Sequence, residues 1–320
     1  MSEYQDYEFR AIDRALTARE MADVRKWSTR AEITPVSFVN TYEWGDFKGN
    51  PDALVKKYYA VFFYFANWGT RILKLRLPSS WVDLQKARPY CAGESAALNV
   101  AKERVVFSFL CDQEAGDTWD GGEEDLLPSL ISLRTDLKNG DCRVLYLGWL
   151  LAVQQEEVAE DAVEPPVPPG LGSLSPALKA FIEFLRVDSD LVDAAAEGPA
   201  GGRSAGDLLA AAERIRTDRQ RKETERAEGA RERMVRQAAA ARAKYLQELR
   251  GREAKVWGEI DTLIGRRNPK AYGEALRLIR DLGEILKSDG RAFEFTSRLR
   301  QLRETHAKKG SLVAKLDSLL

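Results

Sequence analysis

The sequence predicts an α+β N-terminal domain followed by an all-α half, in which a long charged helix leads to a terminal helical hairpin or bundle. Three observations carry this. Residues 1–153 intermix strand-like and helix-like segments without a regular βαβ repeat. Ser204 to about Gly265 is a run of Ala, Arg and Glu with almost no turn residues. Past Gln237, apolar residues recur at threes, fours and sevens, the spacing of a helix face that packs on a partner.

Tyr7–Ile12 reads as a strand of alternating character. Thr17 then opens a helix, because Thr17 and Glu20 have the spacing of a capping box. Met21, Val24 and Trp27 follow at helical spacing and should face a core. Val36–Tyr42 favours a second strand. Trp44–Asn50 is rich in turn residues, and Asn50 caps a helix over Pro51–Tyr58, with Pro51 at a position where a missing N–H costs little. Val61–Ala66 is almost wholly apolar, which suits a strand buried on both faces. Asn67-Trp68-Gly69 reads as a hairpin loop that returns the chain antiparallel through Ile72–Leu77 to Pro78. Val105–Leu110 is a further strand, followed by an acidic, Gly-containing loop over Asp112–Asp125. Leu126–Leu137 reads as a helix with Pro128 in its first turn. Leu145–Leu151 fits a buried helix or a strand; periodicity does not separate them, and helix is preferred.

The segments YEFRAIDRALT, ITPVSFVNTYEWGDFKGNP, YFANWGTRILKLRLP and LRTDLKNGDCRVLYLGWLLA resemble blocks of an uncharacterised bacterial protein family, over most of residues 4–153. That resemblance implies no activity. The ending FEFTSRLRQLRETHAKKGSLVAKLDSLL is similar to tails of bacterial SWIM zinc-finger proteins. The Cys and His ligands of that finger are missing here, so no zinc function carries over.

Beyond the first domain, residues 154–174 read as an acidic, Pro-rich linker, solvated and fairly extended. Residues 175–197 form a short helical docking segment, with Leu178, Phe181, Ile182 and Leu185 along one side. A Gly-rich linker spans 198–206. The long charged helix takes 207–265. From Glu213 to Arg233 its only large apolar residue is Ile215, which disfavours a coiled-coil seam and predicts a spacer held by ion pairs such as Glu232–Arg236. Ala238, Ala241, Tyr245, Leu249, Val256, Ile260 and Leu263 give the second half an apolar face. Residues 268–320 make the terminal bundle, with Asn268-Pro269 opening one helix, Asp289-Gly290 ending it, and two more helices after it.

The charge is strongly asymmetric. Residues 1–172 carry 19 basic and 27 acidic residues, whereas 203–320 carry 28 and 18. A basic arm of this kind meets nucleic acid, an acidic partner, or the protein's own acidic half. Cys91, Cys111 and Cys142 are isolated, which argues against a disulfide framework and for a reducing compartment. An acidic, polar N-terminus and short apolar runs point to the cytoplasm of a bacterium, with no membrane span.

Four groups of residues have chemistry to offer. His306, the only histidine, is too solitary for a triad or a metal site and reads as a helix-end histidine. The carboxylates of the Asp112–Asp125 loop, Glu114, Asp117, Asp120, Glu123 and Glu124 among them, can hold a divalent cation but miss the EF-hand spacing, so a solvated loop is preferred. Trp44, Trp68, Arg71 and Arg76 lie close to predicted turns and can stack on and clamp a nucleotide or peptide; core tryptophans with exposed strand arginines are the plainer reading. Arg214, Arg216, Arg219, Arg221, Lys222 and Arg226 form a basic run suited to phosphates, weakened by interleaved glutamates. No catalytic residue, metal site or cofactor is expected. The sequence favours a non-enzymatic protein-interaction or scaffold subunit that binds protein partners and can self-associate through residues 238–320. The alternatives are a nucleic-acid-associated accessory factor using the basic arm, or a metal-dependent enzyme using the acidic loop.

Overall fold

The computed structural model describes residues 4–113, 122–198 and 202–319. The chain forms two compact units, residues 1–221 and 222–320.

In the first unit, β1 (Gln5–Arg10), β2 (Glu32–Ile33), β3 (Ser37–Tyr42), β4 (Val61–Ala66), β5 (Thr70–Pro78), β6 (Ala96–Ala101) and β7 (Arg104–Asp112) form one antiparallel sheet. Their order is β2-β3-β1-β4-β5-β7-β6. β4 is the middle strand and every residue of it is buried, as its apolar run requires. β1 lies beside it, and here the expected alternation fails in exposure: Gln5, Asp6 and Glu8 are buried as well. Their polar groups are met locally. Gln5 accepts from the Tyr7 and Tyr64 hydroxyls at 3.0 Å each, and Asp6 accepts from the Thr41 hydroxyl at 2.6 Å.

α1 (Ala18–Arg25) and α2 (Pro51–Lys57) pack on the face that carries Tyr7, Phe9, Phe62 and Tyr64. α1 starts in the capping box read from Thr17 and Glu20. Trp27, expected to face a core, lies past the end of α1 and is exposed, because the helix stops at Arg25. After the single turn α3 (Leu84–Ala87), the other face is covered by α4 (Leu127–Lys138), α5 (Arg143–Gln154), α6 (Pro176–Leu185) and α7 (Ser189–Glu197). α5 is buried from Val144 to Val153, which explains why periodicity could not identify it.

Two expectations for residues 154–221 are corrected, and the docking surface expected for residues 175–197 is found. The Pro-rich stretch is not a solvated linker: Glu164, Pro165, Pro168 and Leu171 are buried. Prolines bring no N–H to satisfy, so such a segment can lie on a core without orphaned donors. Its first half bonds to Arg203 and to the first residues of α8 (Ala205–Arg250), with Glu164 N–H to Arg203 C=O, Ala205 N–H to Ala162 C=O and Gly206 N–H to Glu160 C=O at 2.8–2.9 Å. The α6–α7 segment docks on the chain's own sheet. Phe184 stacks on Phe63 at 4.3 Å and Phe181 meets Phe109 edge-on at 4.9 Å. Finally, the long helix is no spacer at its start, since Ala205, Leu208 and Ala212 belong to the same core.

In the second unit, α9 (Glu253–Gly265), α10 (Pro269–Ser288), α11 (Ala292–Thr305) and α12 (Gly310–Asp317) pack with the end of α8 around Leu249, Ile260, Ile279, Leu282, Phe295, Leu299 and Leu316. The expected helix over 207–265 is two: a turn at Gly251–Arg252 ends α8 at Arg250, glycine being the weak helix former there. Ala238 and Ala241 lie exposed rather than in the packed face, which begins with Tyr245. His306 stands at the end of α11. Among the described residues, no helix is long and apolar enough to cross a membrane.

Candidate protein-interaction site

On the face covered by α1 and α2, the cover ends at α2. Successive side chains of a strand point to opposite faces, so Ile72 and Lys74 of β5 come up on this face with Val106, Ser108 and Leu110 of β7. The register sets Ile72 opposite Leu110 and Lys74 opposite Ser108. With Val55 and Lys56 of α2 and Ala97, Leu98 and Asn99 of β6 they line a groove of about 390 Å³. Its floor is apolar at Ile72, Val106 and Leu110. Its rim is charged: Lys74 pairs with Asp52 on the α2 side, and Glu94 stands at the β6 end. An apolar floor with a few polar groups around it is the usual composition of a binding cleft.

None of the four residues predicted to stack and clamp lines this groove. Trp44 and Trp68 follow β3 and β4 at the same end of the sheet, where Tyr42 and Ala66 both pair with Gln5. Trp44 is exposed, with the Arg30 guanidinium 5.1 Å from its ring; Trp68 donates its indole N–H to the Thr70 hydroxyl at 3.0 Å. Arg71 is near them in sequence but turns inward. It is buried, donates to Gly69 C=O at 3.1 Å, and pairs with Glu123 at 2.8 Å. Arg76 lies toward the other end of β5 and reaches the Val55 carbonyl at 2.9 Å and Asp13 at 3.6 Å. Burial, with Arg104 and Arg134 nearby, lowers its pKa to about 10. The structure therefore does not bring the four together, and it inverts the plainer reading: both tryptophans are exposed and both arginines are buried.

The basic run is met in large part by the chain's own acids. Arg216 pairs with Asp188 and lies 3.5 Å from Asp190, and Arg219 pairs with Asp190 at 2.7 Å. Asp190 is buried, so these cations hold a desolvated carboxylate at the start of α7. Arg221 pairs with Asp218 at 3.0 Å, and Arg214 donates to the Ala210 carbonyl. Lys222 and Arg226 are exposed. Of the acidic loop, Glu114, Asp117, Asp120 and the side chain of Glu124 lie outside the described residues. Asp112 accepts from Thr70 at 2.6 Å, and Glu123 is held by Arg71. Among the described residues, no three His, Cys, Asp or Glu side chains converge on a metal-sized site.

The groove was invisible in the sequence because its walls are neutral or singly charged residues at period two, one of them on β6, whose Ala-Ala-Leu-Asn-Val-Ala carries little strand signal. No family model, curated protein or solved structure matches the chain.

Proposed function

We propose that the chain is a non-enzymatic protein-interaction subunit, a scaffold component working in the cytoplasm of a bacterium. The observation that carries this reading is the groove over β5, β7 and β6, where an apolar floor of Ile72, Val106 and Leu110 is left open beside the paired charges of Lys74 and Asp52. It suits a protein segment that inserts apolar side chains and meets both signs of charge at the rim. The second unit supports the reading with its own exposed aromatic, Phe293 on α11, which is 86% exposed. Three free thiols support a reducing compartment.

Selection from a random peptide-display library tests the proposal. Enriched peptides should carry apolar residues, bind the wild type, and lose binding to Ser108→Trp, which fills the groove from its floor. A selection that enriches nothing, or peptides that bind Ser108→Trp equally well, would refute it.

A further inference from the structure

The sheet has two edges of different character. One is β2, two residues long. The other is β6, six residues in unbroken register with β7. Sheets protect exposed edges by brevity, charge, proline or a bulge. β2 uses brevity. Beyond Ala96, which Ala92 bridges, β6 uses none of these: its sequence is Ala-Ala-Leu-Asn-Val-Ala, and Val100 is 44% exposed.

Two hydrogen bonds show which backbone groups face outward. The Ser95 carbonyl accepts from Leu110 N–H, toward β7, whereas Ala96 N–H turns away to the Ala92 carbonyl at 3.2 Å. Antiparallel strands alternate these directions residue by residue. The N–H and C=O of Leu98 and of Val100 therefore point out of the sheet, and the groups of Ala97, Asn99 and Ala101 point in.

We propose that a second copy of this chain pairs its β6 antiparallel to β6, about a twofold axis at Asn99. Leu98 of each copy then faces Val100 of the other, and two such pairs supply about four hydrogen bonds. Other even registers fail. Centring on Leu98 sets Val100 against Ala96, whose N–H is already taken by Ala92. Centring on Val100 sets Leu98 against Lys102, which is in the turn to β7 with φ of 52°. Charge favours the antiparallel mate: no ionic residue lies within β6, and Glu94 at one end comes to the Lys102 turn of the other copy. A parallel mate would set Glu94 beside Glu94.

This pairing predicts its own cross-link. Asn99 faces Asn99 in a non-hydrogen-bonded pair, with Cα atoms about 4.5 Å apart, inside the reach of a disulfide. Full-length Asn99→Cys should form a covalent dimer under mild oxidation, read on a non-reducing gel against wild type. Ala97→Cys, facing Ala101, and Val100→Cys, facing Leu98, should not. In sedimentation, the wild type should be a dimer at ~100 µM, and Val100→Lys, an exposed position, should weaken it at least about tenfold. A wild-type monomer at that concentration, a dimer unaffected by Val100→Lys, or cross-linking at 97 or 100 but not at 99 would each overturn the proposal.

Discussion

Replacing Arg203 with Met tests the internal logic of the first unit most directly. Glu164 has a fully buried carboxylate. It accepts two bonds from Arg203, at 2.9 and 2.8 Å, and one from the Tyr146 hydroxyl. Arg203 also donates to the carbonyls of Ala194 and Ala195 at 2.9 and 3.2 Å, tying α7 to the Pro-rich strap. Methionine fills much of the same volume but leaves the carboxylate with one neutral donor. Breaking a buried pair by removing one partner costs about 3–5 kcal/mol. At about 2–4 °C per kcal/mol for a unit of this size, the melting temperature should fall by roughly 6–20 °C. Far-UV circular dichroism follows the transition. The double variant Glu164→Leu/Arg203→Met removes both charges and should recover most of the loss. A loss under about 1 kcal/mol in the single variant, or no recovery in the double, would refute the argument that the strap is held by a desolvated ion pair.

Other outcomes follow from the same geometry. The hydrogen bond from Arg14 and the backbone N–H of Thr17 hold the Glu20 carboxyl at about 2, below its ordinary 4.5. A depressed carboxylate stabilises above its unfolded value and loses that contribution as pH falls toward the folded one, so Glu20→Gln should flatten the acid side of the stability curve between about pH 4.5 and 2. Burial raises the Cys91 thiol to about 11; its alkylation at pH 8 should be slower than that of a free thiol and accelerate with pH, and labelling in the native state at the unfolded rate would count against this. A Cβ on Gly283 would sit 2.8 Å from the Phe295 ring, so Gly283→Val should destabilise the second unit by about 1–3 kcal/mol in a thermal melt. Charge reversal at Arg219 should destabilise the first unit, because buried Asp190 then faces an acid; an unchanged denaturation midpoint would show that Arg216 alone suffices.

Strong local signals in the sequence were read correctly. β4 was legible because its six apolar residues are few, mostly aromatic and followed by the Asn67-Trp68-Gly69 turn, which suits a strand covered on both faces, and α1 and α2 because Thr17–Glu20 and Asn50-Pro51 are local capping signals. What escaped depends on long-range partners. β6 becomes a strand because β7 pairs with it, and the Pro-rich segment is buried because Arg203, nearly forty residues later, neutralises Glu164. The basic run from Arg214 was legible as charge, but its pairing rests on a fold that puts Asp190 beside Arg219. The groove shares this origin, being made where α2 ends rather than by any motif.

The seating of α8 has a mechanical consequence. Its first turns are buried through Leu208 and Ala212 and latched by Arg216 and Arg219, and the backbone just before it is paired with the Pro-rich strap. The first unit thus has no loose joint at residue 204. A pull on that helix would load the Arg203–Glu164 and Arg219–Asp190 contacts in shear, several bonds yielding at once, where a flexible tether would have absorbed the displacement without resistance.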